Sequence, residues 1–368
     1  MEGIWFDGRY INPTKPDGIT SFSLGLIEAV LAINPLTVMV NSQSQADLLP
    51  KSERLRLFVT HPVASPKELF ATRRLNREGI KVLFSPMQTT SGLRRNFKLV
   101  YTLHDLIYYR HRTPPSNFNW FIRAVWFLYH LSYWPQRRIL NLADAVATVS
   151  ETTRDQMLRH KLTRRPIYVI HNAAQAPERV EKANRHDSKF LVYMGSFIGY
   201  KNVETLIRGM RYLPDQTLVL LSRITSERRA ELQALADEVG ANVRFENGVT
   251  KDEYHEWLHA AKALVSASKD EGFGIPVVEA MERGCPVILS DIPIFEEVAG
   301  PAGLRFAATD AIAFSEQVKR LSNKRDWKLH SDLGLSQAEF FTWEDSAELF
   351  IELCEELAGP EGLRGPSV

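Results

Sequence analysis

Residues 270–291 read DEGFGIPVVEAMERGCPVILSD. The stretch follows ALVSAS (263–268), a short apolar run of strand type, and contains a second such run, PVILS (286–290). Between them lie a Gly-Phe-Gly turn and IPVVEAMERG, which has helical spacing. Strand, turn, helix and strand in this order make the βαβ unit of a parallel sheet. Pro276 suits the first helical turn, where an N–H would have no internal partner. Gly272 and Gly274 let the backbone approach a ligand closely. The N–H groups of Phe273, Gly274 and Ile275 would face an anion, favoured by the helix dipole. Glu271 and Glu279, eight positions apart, would repel phosphate but suit hydroxyl groups. The stretch therefore calls for a phosphate compound flanked by hydroxyls. It lacks the third glycine of a dinucleotide fingerprint.

Outward from this unit the same alternation fills the chain. GIWFDG, LTVMV, RLRLFVT, KVLFS, KLVYTLHD, DAVATVS and PIYVI read as strands of a first domain, with SFSLGLIEAVLAI as its first helix. The polar stretch NAAQAPERVEKANRHDSK (172–189) reads as a linker. Beyond it FLVYMGS, TLVLLS, ANVRFE, ALVSAS and PVILS alternate with helical segments in a second doubly wound domain. One more amphipathic helix spans about Trp343 to Leu357. The expected architecture is α/β, with domains at 1–175 and 176–342 and a terminal helix and tail at 343–368. Two such domains imply a cleft, with ligands outside the carboxyl ends of the strands.

The bulk composition narrows the function classes. The 368 residues are 44% hydrophobic and 24% charged, with two distant cysteines, Cys285 and Cys354, which points to a reducing compartment. MEGIWFDGRY has no signal-peptide pattern, and no run approaches the roughly 18 apolar residues of a spanning helix. The expected location is cytoplasmic, or peripheral on the inner face of the plasma membrane. The net charge of +1 conceals two unlike halves. Residues 1–180 carry 24 Lys+Arg against 13 Asp+Glu, net +11, and the rest 21 against 31, net −10. A basic half could face anionic lipid, nucleic acid or a phosphorylated acceptor, or simply attract the acidic half. The aromatic stretch FNWFIRAVWFLYHLSYWPQRR (118–138) leaves two readings open: an interfacial helix on lipid, or a helix buried in its domain or in a dimer. Nothing resembles a nucleic-acid-binding module.

Other chemistries fare poorly. There is no Walker A loop, no G-x-S-x-G elbow and no Asp-x-Asp pair to hold a divalent ion. HEWLH (255–259) matches the H-E-x-x-H zinc pattern, but its helix runs straight into the ALVSAS strand, with no supported third ligand. No metal site is expected.

DEGFGIPVVEAMERGCPVILSD resembles the E-x7-E signature of the retaining GT4 glycosyltransferases, which have the GT-B fold. PDGIT (16–20), LVYTLHDL (99–106), VATVSETTRDQM (146–157), VIHNAA (169–174), YMGSFIGYKN (193–202) and FTWEDSAELF (341–350) match further family stretches in order. The resemblance implies two Rossmann-like domains, the last helix crossing back to the first. It implies that Lys201 contacts the donor diphosphate, Glu279 the ribose and Glu271 the transferred sugar. Backbone N–H groups of Phe273, Gly274 and Ile275 would hold sugar or phosphate. Gly18 would let a loop close on the diphosphate, and His104 would sit near the reacting face. Many relatives carry Arg after the glycine equivalent to Gly195. Ser196 stands there in this chain, and Arg223 is a candidate replacement. Ser followed by Lys-Asn is familiar among mannosyl- and rhamnosyltransferases, which favours GDP-mannose. The implied partners are a nucleotide sugar as substrate, with no cofactor, and a glycan or polyprenyl-linked acceptor in envelope polysaccharide or glycolipid synthesis. The alternatives are a sugar-nucleotide epimerase or hydrolase on this scaffold, or a non-catalytic membrane-surface binder.

Overall fold

The structure is a computed structural model describing residues 3–14, 17–63, 65–90, 92, 94–114, 119–174 and 185–359. Most of the proposed linker, 175–184, and the tail from 360 onward lie outside the described residues. The chain divides into two compact units, Met1–Ala173 with Thr342–Val368, and Ala174–Phe341.

The first unit is a seven-stranded parallel sheet of β1 (Ile4–Asp7), β2 (Leu36–Val40), β3 (Leu55–Val59), β4 (Val82–Ser85), β5 (Lys98–Leu103), β6 (Ala145–Thr148) and β7 (Ile167–Val169). Its order is β3-β2-β1-β4-β5-β6-β7, so the winding reverses between β1 and β4. Every residue of β1, β4 and β6 is buried. That is why these strands read as continuous apolar runs, since helices cover both faces. Phe6 sits level with Val38 on one side and Phe84 on the other.

Two helices complete this core. Gly18–Ile33 is capped by Asp17, whose Oδ1 accepts from Thr20 N at 2.8 Å and Thr20 Oγ1 at 2.9 Å. Trp343–Ala358 packs against it. A Cβ on Gly25 would lie 2.2 Å from Trp343 Cε2, so only glycine admits the indole. Phe350 is fully buried, its ring 5.0 Å from Phe84 and 6.5 Å from Phe6. Burying one such ring contributes about 1.5–3 kcal/mol. Ser346 Oγ donates to His171 O at 2.9 Å, fastening the helix behind β7.

The aromatic stretch forms a helix, Trp120–Tyr129, with no buried residue at all. Of the readings open from sequence, burial within its own domain is excluded. Phe118 lies outside the described residues.

The second unit is a six-stranded parallel sheet of β8 (Phe190–Tyr193), β9 (Thr217–Leu220), β10 (Val243–Phe245), β11 (Ala263–Ser266), β12 (Val287–Ser290) and β13 (Gly303–Phe306). Its order is β10-β9-β8-β11-β12-β13, reversing between β8 and β11. Leu191, Tyr193, Val265, Ile288, Phe306 and Phe314 lie in its core. The sequence reading did not register β13 or the helices Pro293–Ala299, Ala311–Arg320 and Lys324–Ala338. Strand β13 is a four-residue edge with only alternate residues buried, too short for a clear apolar run. Among the described residues, no helix is long and apolar enough to cross a membrane.

Candidate active site

In an open parallel sheet the loops at the carboxyl ends diverge where the winding reverses, leaving room for a ligand. In the second unit that place is the exits of β8 and β11, and most of the sequence-predicted residues lie on these two loops. After β8, Gly195 N donates to Ser222 Oγ at 3.0 Å, and Tyr193 Oη donates to Ser196 O at 2.6 Å. A 3-10 turn, Gly199–Lys201, ends on Asn202, which is left-handed at φ 54° and buried. Asn202 Nδ2 donates to Ala267 O at 3.0 Å and Ala308 O at 2.6 Å. Lys269 N donates to Tyr200 O at 2.8 Å. Side chain and backbone thus both tie the Lys201 turn to the exit of β11.

The result is an ion pair between residues 70 positions apart in sequence. Lys201 Nζ lies 2.6 Å from Glu271 Oε1, with the two side chains 15% and 14% exposed. Ser268 Oγ, buried, donates to the same Oε1 at 2.8 Å. The predicted phosphate contact and the predicted sugar contact therefore meet, each satisfying the other in the free protein.

The turn then leads into a helix. Gly274 has φ +101°, and a Cβ there would lie 3.1 Å from Phe295 Cε1. Phe273 is buried, its ring edge-on to Phe341 at 5.4 Å. Gly274 caps the helix Ile275–Glu282, with Pro276 in its first turn. Ile275, at the first helical position, has no intrahelical acceptor for its N–H.

Glu279 has different company. It is half-buried, and burial pushes its carboxyl up, opposed by the Tyr254 hydroxyl and the Arg283 and Lys251 cations. Among the described residues no hydrogen bond joins it to Lys201 or Glu271. Tyr254 and Lys251 lie on the helix Lys251–Ala260, which also carries the H-E-x-x-H match. Arg283 Nη2 stands 3.1 Å from His255 Nε2, so that nitrogen accepts from a guanidinium. Burial first, then Arg283 and Lys251, bring the His255 pKa down to about 4. A cation beside the ring opposes a metal ion, and among the described residues no three His, Cys, Asp or Glu converge to hold one.

Arg223 is exposed and packs over Gly248, with no ion pair among the described residues. The cation that touches the Ser196 loop is Arg228, which sequence reasoning missed. Its Nε donates to Phe197 O at 3.1 Å, and its Nη groups pair with Glu204 and, at 2.9 Å, Glu231. Only the Glu231 contact, at i+3, could have been seen along the sequence.

In the first unit, His104 and Gly18 gather near the reversal between β1 and β4. His104 Nε2 is 2.9 Å from Pro86 O, just beyond β4. A carbonyl only accepts, so Nε2 carries the hydrogen and a neutral ring keeps Nδ1 as acceptor. The ring stands edge-on to Phe22 at 5.2 Å. Burial lowers its pKa to about 4, against the opposing pull of the Pro86 bond and the Asp17 charge. His104 is therefore neutral near pH 7. Gly18 opens the helix that Asp17 caps, and a Cβ there would meet nothing within 4 Å. Close packing inside the chain does not require that glycine.

A buried charge network at the exit of β1 was not foreseen. Arg9 lies 2.7 Å from both Asp7 Oδ2 and Glu68 Oε2, and His61 Nε2 is 2.8 Å from Glu68 Oε2. Thr90 Oγ1 donates to Asp7 at 2.6 Å. Burial works against the Arg9 charge, but Asp7 and Glu68 more than offset it, leaving the pKa above its usual value.

Two parallel-sheet Rossmann-like units are the architecture of the GT-B structures. Residues 43–175 match the Glycosyltransferase Family 4 model, and residues 175–336 match that of Glycosyl transferases group 1. The chain thus carries a Glycosyl transferases group 1 domain preceded by a Glycosyltransferase Family 4 domain. It is 26% identical over 328 residues to the O-antigen chain mannosyltransferase RfbU of Salmonella typhimurium, covering 84% of this chain and 88% of that one. It is 29% identical over 224 residues to O-antigen chain mannosyltransferase B of Escherichia coli, covering 56% and 59%. Sucrose-phosphate synthase from Thermosynechococcus elongatus has the same fold, with a TM-score of 0.77 at 20% identity over 96% of this chain and 98% of that one.

Proposed function

We propose that this chain is a retaining glycosyltransferase that moves a hexose from a nucleoside-diphosphate sugar to a hydroxyl of a glycan or lipid-linked acceptor. GDP-mannose is the favoured donor, and O-antigen or related envelope polysaccharide the favoured product, by kinship with the mannosyltransferases above. The reaction is assigned to the cytoplasmic side of the membrane. The observation that carries the reading is the Lys201–Glu271 pair at the β8/β11 reversal.

When the donor binds, its diphosphate draws the Lys201 ammonium from Glu271, and the freed carboxylate accepts hydroxyls of the sugar. Lys201 and the N-terminus of the Ile275–Glu282 helix stabilise the charge on the departing phosphate. They fill the role a divalent ion has in other transferases, so no metal step is invoked. The acceptor oxygen bonds to the anomeric carbon on the face the diphosphate leaves, the C–O bond to phosphate breaks, and the acceptor proton passes to the leaving phosphate oxygen. His104 Nδ1 accepts a sugar hydroxyl, and Glu279 binds the ribose.

The test is thermal stabilisation by GDP, UDP and dTDP, followed by transfer from the sugar nucleotide of the best base and NMR of the new anomeric centre. The expectation is stabilisation by GDP and retention of configuration. Inversion would overturn the mechanism. Equal donor consumption with and without acceptor would indicate a hydrolase or epimerase.

A further inference from the structure

We infer that the face of the first unit built on Trp120–Trp134 docks on the surface of an anionic lipid bilayer. Trp120 is 81% exposed, Phe121 61%, Leu128 64% and Trp134 57%. They lie on the helix Trp120–Tyr129 and at the start of the next one, Trp134–Leu140. Single exposed apolar residues are ordinary, but a contiguous patch marks an interaction surface.

The patch is held outward. Asn119 Oδ1 caps the helix by accepting from Ile122 N at 2.9 Å. On the inner side the Trp126 ring lies 4.0 Å from His130 and 5.1 Å from Tyr108, and Tyr129 Oη donates to Gln136 Oε1 at 2.8 Å. These contacts fix one side of the helix, and its apolar side is exposed among the described residues.

Charge selects the occupant. From Leu106 to Ala143 the chain carries five arginines and no acidic residue. Arg123 is exposed on the helix, and the Arg138 guanidinium lies 4.8 Å from the Trp134 ring. Neither pairs with a carboxylate among the described residues. A two-fold contact between copies would bring this cationic face against itself, which disfavours a dimer. Phospholipid headgroups supply the missing negative charge, and the acyl boundary takes tryptophan, phenylalanine and leucine. Ten helical residues span only about 15 Å, half the hydrocarbon core, so the helix lies in the plane of the interface.

The test uses the full chain in flotation with vesicles of phosphatidylcholine alone or of an equimolar mixture with phosphatidylglycerol. Binding is expected only to the mixture, lost at high salt, with a blue shift of tryptophan emission. R123Q/R138Q should weaken it roughly 25-fold, at about fivefold per arginine. W120S/L128S/W134S should abolish it. The altered side chains are exposed, so both variants should keep the wild-type melting temperature and nucleotide response. This separates lipid binding from the transferase reading. Flotation of either variant like wild type, equal binding to neutral vesicles, preference for duplex DNA, or a dimer broken by the same substitutions would overturn the inference.

Discussion

Replacing Glu271 by Gln should tighten binding of the nucleoside diphosphate while slowing transfer. In the free protein Lys201 is held by Glu271 at 2.6 Å. Two unit charges at that distance attract by about 6 kcal/mol at an effective dielectric of ~20, and by about 1.6 kcal/mol in bulk water. Desolvation of both groups offsets most of the larger figure, so the net hold on the ammonium is about 1–2 kcal/mol. A diphosphate must overcome this hold. Glutamine keeps the shape and removes the charge, so GDP affinity should rise about tenfold, the equivalent of roughly 1.4 kcal/mol. Sugar transfer should fall by about a hundredfold or more, because the carboxylate that accepts the sugar hydroxyls is gone. The assay is isothermal titration with GDP alone and with GDP-mannose, beside steady-state transfer. The diphosphate alone should gain, and the intact donor should gain less or lose. Lys201→Ala should weaken both ligands and cut kcat by about 10²–10³. Unchanged or weaker GDP binding by E271Q would refute the idea that Glu271 restrains Lys201.

Other outcomes follow from single residues. Gly274→Ala forces a side chain into φ +101° against Phe295, and should cost about 1–3 kcal/mol in urea denaturation. Asn202→Ala removes the amide that donates to the buried Ala267 carbonyl and the half-buried Ala308 carbonyl, and a residue suited to φ 54°; a loss of about 2–4 kcal/mol and a raised donor KM are expected. His104 should titrate by NMR near pH 4. Between about pH 6.5 and that value the unfolded chain binds a proton at this site and the folded chain does not, so stability rises with pH. The window is worth about 3 kcal/mol, and His104→Gln should flatten it in part, since His255 contributes with the same sign.

Patterns local in sequence carried much of this structure. The buried strands β1, β4 and β6 announced themselves as apolar runs, and the Gly-Phe-Gly stretch announced a turn that opens a helix. Strand β13 did not, being a short edge with one wet face. At the site, resemblance supplied positions for Lys201 and Glu271, but no spacing could reveal that the two neutralise each other. Arg228 and the Asp7–Arg9–Glu68 network escaped notice because Phe197, Glu204 and Glu68, the partners that complete them, lie far away in sequence. HEWLH shows the converse: its spacing is right for zinc, and only the fold brings Arg283 to His255.

The seam between Trp343–Ala358 and the first sheet bears on the order of synthesis. The second unit is one continuous segment and can close once its last residues leave the ribosome. The first unit is not: Phe6 and Phe84 wait for Phe350, and the gap above Gly25 waits for Trp343. During translation the earlier-made half therefore keeps an open aromatic face while the later-made half folds. Chains stalled before residue 343 should be aggregation-prone clients of chaperones, although they already contain every strand of the described residues and every candidate catalytic residue.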